Sequence, residues 1–107
     1  DASNVALGEF RLKPSVPFEQ KRHDIRLIAA RFRVANPRVF GSVLRGDDVD
    51  GSDLDLLVDP LPDTTLFDLG GLQGELEDLL GVPVDVRTPG GLPPKFRAAV
   101  VAQAQPV

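Results

Sequence analysis

The chain has no cysteine, no tryptophan and no tyrosine, and its single histidine is His23. Each absence excludes a kind of chemistry. Without cysteine there is neither a disulfide framework nor a thiolate metal site, and one histidine cannot build a histidine-rich zinc centre. With no indole or phenol rings and no interleaving of basic and aromatic residues, nothing reads as a platform for nucleic acid. No run approaches the roughly 18 uninterrupted apolar residues of a membrane span, and the start does not read as a signal peptide. The expectation is a soluble chain with no membrane contact, in a reducing cytoplasm.

A length of 107 residues allows one core and therefore one site. The net charge of −4 hides a division: residues 1–46 hold nine Lys/Arg against four Asp/Glu, and residues 47–107 hold three against twelve. Two readings stay open. The division gives one basic and one acidic face, suited to a polyanionic substrate held beside carboxylates, or it marks no more than a solvated first helix.

Residues 1–17 have mixed polarity and prolines at 14 and 17, and are expected to be an extended or disordered leader to a domain spanning 18–107. From Pro17 to about Val34, Phe18, Ile25, Ile28, Ala29 and Phe32 recur at helical spacing, with His23 on the solvated side. Asn36-Pro37 should break that helix, and Arg38-Val39-Phe40 should form a short strand ending at Gly41. One helical turn follows at Val43–Arg45, then a polar loop over 46–52. Leu54, Leu56, Leu57 and Val58 read as a central strand buried on both faces. Asp63-Thr64-Thr65 offers caps for a helix striped by Leu66, Leu69, Leu72, Leu76, Leu79 and Leu80, with Gly81 as its stop. Glycines 70, 71 and 74 cost that helix roughly 1 kcal/mol each against alanine. Val82–Val86 is a third strand, and prolines 93 and 94 open a last helix turning Phe96, Val100 and Val101 inward. The fold class expected is α/β (α+β), a two-layer domain with a small mixed sheet flanked by helices.

Side chains two apart on a strand share a face, so Asp53 and Asp55 point to one side while Leu54 and Leu56 enter the core. If the strand around Asp85 lies beside them, three carboxylates meet. At about 4 Å and an effective dielectric of 20 each pair repels by about 4 kcal/mol, so the cluster takes up protons or a cation. All-oxygen ligation favours a hard ion, Mg2+ or Mn2+, of the kind held by carboxylates together with substrate phosphates. Gly41-Ser42 supplies the complementary half: Gly41 allows close backbone approach, and the N–H groups opening the next turn, with the Ser42 hydroxyl, can cradle a phosphate. Arg45 can add a bidentate contact. The acidic loop also invites a calcium reading, but with Gly51 at the sixth position of an EF-hand loop, Gly46 and Leu57 fall where carboxylates are required.

Gly41-Ser42, ten residues, Asp53-x-Asp55 and a later Asp85 together resemble the polymerase-beta-type nucleotidyltransferase superfamily, over about residues 18–107. Within it the small size resembles the minimal nucleotidyltransferases, the antitoxin partners in HEPN/MNT toxin–antitoxin pairs. The resemblance implies that Asp53, Asp55 and Asp85 are catalytic and bind two divalent ions, Mg2+ or Mn2+. It implies that Gly41, Ser42, Arg45 and Ser52 contact the nucleotide or its phosphates, and that ATP is the substrate. The implied reaction is transfer of AMP to a tyrosine hydroxyl of a HEPN ribonuclease toxin, in a homo- or hetero-oligomer with that toxin. Two alternatives stand beside it: an antitoxin that neutralises its partner by binding alone, and nucleotidyl transfer to a small molecule such as an aminoglycoside.

Overall fold

A computed structural model describes residues 12–107. Of the expected leader, positions 1–11 lie outside the described residues, and Ser15–Pro17 already belong to a helix. The single helix expected over 17–34 is two: α1, Ser15–Gln20, and α2, Arg22–Ala30. Lys21 between them has φ −123° and ψ 25°, and its ammonium donates to the Leu79 carbonyl at 3.0 Å. Strand β1, Val34–Phe40, leads into a short helix α3, Gly41–Arg45; β2, Leu54–Pro60, is followed by α4, Leu66–Leu80, and β3, Val84–Arg87. A 3-10 turn at Pro89–Gly91, helix α5, Pro94–Gln103, and a two-residue strand β4, Gln105–Pro106, complete the chain.

The sheet order is β3-β2-β1-β4, with β2 and β3 parallel and the other pairs antiparallel. It is the mixed sheet with flanking helices that the sequence leads one to expect, with two local departures. The helix ends at Ala30 and not at Asn36-Pro37, and the strand expected over Arg38–Phe40 is longer. The strand starts at Val34 and carries the pair through a bulge, where the register shifts between Ala35 and Arg38 and Asn36 takes φ +53°; a bulge leaves the proline without a ladder N–H to supply. Strand β4 was not expected. Two residues are too few to show a period; β4 pairs with Arg38 and Val39 of β1, and the guanidinium groups of Arg22 and Arg26 donate to the carbonyls of Pro106 and Val107 at 2.9 and 3.0 Å.

Strand β2 is buried on both sides. Leu54, Leu56 and Val58 pack with Phe18, Ile25, Leu72, Leu76 and Leu80 under the helical layer, while Leu57 meets Leu92 and Ala104 on the opposite face. That second face is thinly covered. Val100 packs against it, but Phe96 and Val101, expected to face inward, are exposed, because α5 is held at its margin by Arg97, whose guanidinium donates to the carbonyls of Pro89, Gly90 and Leu92. Thr65 and Asp68 form a reciprocal capping box at the start of α4, and Gly81 ends it in the left-handed conformation, φ +71°. Leu66, in the first turn, is exposed and not part of the buried stripe.

Strand β3 is an edge whose outward N–H groups are covered by α4: Glu77 accepts from Val84 at 3.0 Å and Gln73 from Val86 at 3.3 Å. Three long-range ion pairs cross between the basic first half and the acidic second half: Arg31 pairs with Glu75, Arg33 with Asp63 and Arg38 with Asp59. No helix among the described residues is long and apolar enough to cross a membrane.

The three glycines of α4 are not equivalent. A Cβ on Gly71 would lie 2.8 Å from Cε1 of Phe32, whereas one on Gly70 or Gly74 would meet nothing within 4 Å. Gly70→Ala and Gly74→Ala should each stabilise the fold by about 0.5–1 kcal/mol, and Gly71→Ala should not. Urea unfolding of the three variants beside the unmodified chain measures the difference.

Candidate functional site

The open end of the thinly covered face carries the acidic residues. In the sheet register Phe40 lies opposite Asp55, and Asp55 lies beside Asp85 on β3, so the three side chains share one face. Asp53 stands one residue ahead of β2 and is exposed. Asp53, Asp55 and Asp85 are therefore brought to one edge of the sheet, as the spacing predicts.

Asp55 is the most constrained of the three. It is half-buried and has no hydrogen-bond or ion-pair partner among the described residues. Its burial, then the charges of Asp85 and Asp53, push its pKa up to about 6 from an ordinary 3.8, against the opposing pull of Arg87 and Arg45. Asp85 is engaged: both its oxygens accept from Arg87 Nε, at 3.1 and 3.0 Å. No three acidic or histidine side chains among the described residues form a group that could hold a metal ion. The carboxylates of Asp55 and Asp85 are neighbours along the sheet, and that of Asp85 is held by Arg87.

Gly41 sits directly against Asp55. It opens α3 at φ +73°, and a Cβ there would overlap Asp55 Oδ2 and stand 3.1 Å from Cγ. Only glycine allows the backbone this close to the carboxylate without strain. Ser42 follows in the same helix, half-buried, its carbonyl accepting from Gly46 and Asp47 at 3.0 and 3.1 Å. Arg45 is exposed at the far end of α3, and its Nε donates to Asp47 at 3.3 Å. Ser52 is placed differently: its hydroxyl accepts from the Val49 N–H at 3.0 Å and closes a turn of the 46–53 loop.

Sequence reasoning passed over two features. Asp48 is buried at 5% exposure and its Oδ2 accepts from the Ser15 N–H at 2.8 Å, satisfying a free donor at the start of α1 and tying the loop down. Burial alone would raise its pKa, but the hydrogen bonds from Ser15 and from its own backbone, with Lys13 nearby, hold it below the ordinary value. Nothing in the sequence distinguishes Asp48 from Asp47 or Asp50. The second is a recess of about 260 Å³ beside Asp85, lined by Phe40, Arg87, Leu92, Phe96 and Val100. Arg87 was legible in principle, since it lies two residues after Asp85 on a strand and so shares its face.

Residues 24–105 match the family model described as Nucleotidyltransferase domain. The chain is similar to a candidate protein adenylyltransferase of Methanocaldococcus jannaschii, 34% identical over 77 residues that make up 72% of this chain and 83% of the relative. Its fold matches a solved candidate minimal nucleotidyltransferase with a TM-score of 0.79 and 38% identity, covering 90% of this chain and 97% of the other. It also matches a solved toxin–antitoxin structure with AMP-PNP, TM-score 0.64 and 20% identity, over 78% of this chain and 69% of that one; this likeness is one of fold.

Two outcomes test the geometry. Gly41→Ala should cost about 1–3 kcal/mol of stability through its left-handed backbone and displace the Asp55 side chain. For Asp55 itself, both folded and unfolded chains are protonated below its ordinary 3.8, and as pH rises through about 6 the folded chain must ionise a carboxyl it disfavours, losing stability. In urea unfolding without added metal, Asp55→Asn should therefore be more stable than the unmodified chain at pH 8, with the gap closing by pH 4.

Proposed function

This chain belongs to the nucleotidyltransferase domain family, and from that premise we propose that it transfers AMP from ATP to a hydroxyl of a partner protein, acting as the antitoxin of a toxin–antitoxin pair. The observation that carries the reading is the contact of the Gly41 backbone with Asp55, which in turn lies in register with Asp85. One contact joins the turn suited to phosphate with the carboxylates suited to cations.

In this reading Asp53, Asp55 and Asp85 hold one or two divalent cations, Mg2+ or Mn2+. The donor set is all oxygen, the half-buried Asp55 carboxylate lacks a cationic partner among the described residues, and its pKa is raised first by burial and then by the charges of Asp85 and Asp53. A bound cation would neutralise triphosphate charge at the reacting phosphorus. Gly41 and Ser42 lie where α3 begins and border the phosphates. Arg45 reaches the same side from the end of α3. Ser52 serves by shaping the loop that precedes Asp53, since its hydroxyl oxygen is occupied by Val49. The acceptor oxygen forms a bond to the α-phosphorus as the bond from that phosphorus to the bridging oxygen breaks, and pyrophosphate leaves with the electron pair. Asp85, beside the open recess, is placed to take the acceptor's proton.

The fold neighbour solved with AMP-PNP, an ATP analogue, supports ATP as donor, and its description as a toxin–antitoxin supports a toxin as acceptor. We assign the acceptor to a tyrosine of a HEPN-type toxin on the strength of the resemblance of the Gly-Ser and Asp-x-Asp motifs.

The test is to incubate the chain with ATP, Mg2+ and the toxin encoded beside it, then weigh the toxin. Its mass should rise by whole AMP units, and Asp53→Asn combined with Asp55→Asn should abolish both the increase and the neutralisation. Neutralisation that survives the double substitution with no mass change would replace catalysis by an antitoxin that acts through binding alone.

A further inference from the structure

Eight arginine side chains lie among the described residues, and six of them donate through a terminal Nη group: Arg22, Arg26, Arg31, Arg33, Arg38 and Arg97. The other two, Arg45 and Arg87, donate only through Nε, to Asp47 and to Asp85. Both lie near enough to the Asp55 carboxylate for their charges to oppose the rise of its pKa. The other six forks join parts of the described chain, and these two have no acceptor for their Nη groups among the described residues.

Arg87 is the less expected of the pair. Its side chain is 45% exposed, so its outer nitrogens are reachable. It borders the recess of about 260 Å³ whose walls are Phe40, Leu92, Phe96 and Val100. Apolar walls lower the local dielectric, so an anion meeting the fork there is held more strongly than it would be in open water. Meanwhile Nε occupies both oxygens of Asp85. A cation arriving at Asp85 takes over those oxygens and frees the whole guanidinium beside the site.

We propose that Arg87 is an anion-binding arm of this site, which leaves Asp85 when a divalent cation arrives and pairs with phosphate oxygens of the bound nucleotide. The inference rests on the nucleotidyltransferase reading and adds a residue that no motif in the chain marks. It differs in sign from the simpler role of a counter-ion. A residue that only neutralises Asp85 competes with metal, so its removal should leave binding of a metal–nucleotide complex unchanged or tighter. A residue that binds phosphate should weaken that binding when removed.

Calorimetric titration with AMP-PNP in the presence of Mg2+ separates the two without relying on turnover. Arg87→Gln should weaken binding about 10- to 100-fold, the worth of one or two hydrogen bonds to a charged group. Arg87→Lys, which keeps the charge without the planar fork, should fall between, and it also carries the test should the glutamine variant fold poorly. Affinity of both variants equal to or above that of the unmodified chain would overturn the proposal. Failure of the unmodified chain to bind AMP-PNP with Mg2+ would instead overturn the ATP reading on which it rests.

Discussion

Like charge at close quarters is the constraint around which this small domain is arranged. Asp55 and Asp85 are lateral neighbours on adjacent parallel strands, with Asp53 one residue ahead of the first. In the sheet's interior such a set would be intolerable. It survives because it sits at the end of β2, on the face that α5 leaves thinly covered, and because Arg87 compensates Asp85. The remaining imbalance falls on Asp55, whose carboxyl is held near neutrality at a pH where an ordinary aspartate is fully ionised.

The surrounding structure serves that arrangement. Asp48 ties the 46–53 loop to the first turn of α1, so the approach to Asp53 is not left to a loose loop. Arg97 gathers three carbonyls of the turn before α5 and so fixes one wall of the recess. Further away, three ion pairs join the basic first half to the acidic second half. These pairs are exposed or partly so, and each contributes little stability. Their consequence is a redistribution: among the described residues most arginines are committed to the fold, and Arg45 and Arg87 are the ones whose Nη groups have no acceptor there.

Much of this was legible because it is local. The caps Thr65 and Gly81 follow from side-chain and backbone preferences at a helix end, and the two-faced burial of Leu54–Val58 follows from its unbroken apolar run. The placement of Asp53 and Asp55 at one end of β2 follows from their spacing alone. What escaped depends on distant parts of the chain. Proline 37 sits within β1 at a bulge, and Gln105-Pro106 is a strand through its pairing with β1, with the carbonyls of Pro106 and Val107 held by Arg22 and Arg26. Phe96 is exposed because Arg97 anchors its helix to the margin, and Asp48 differs from its acidic neighbours only through a partner 33 residues away. Arg87 was overlooked for another reason: a cation beside an acid reads as an ordinary surface pair until its unused donors are compared with those of every other arginine.

The two acceptors that α4 offers to strand β3 have a further meaning. Glu77 and Gln73 are four residues apart on a helix, a rise of about 6 Å, and the N–H groups they hold, on Val84 and Val86, are two residues apart on a strand, about 6.6 Å. The two repeats nearly coincide, so the helix works as a gauge laid along the strand. Asp85 lies between the two marks. Sliding β3 by one residue would lose both contacts and turn Asp85 to the opposite face. The same two side chains also deny the outer edge of β3 to any incoming strand, so the carboxylate's position is set by the chain's own helix and not by what docks against the sheet.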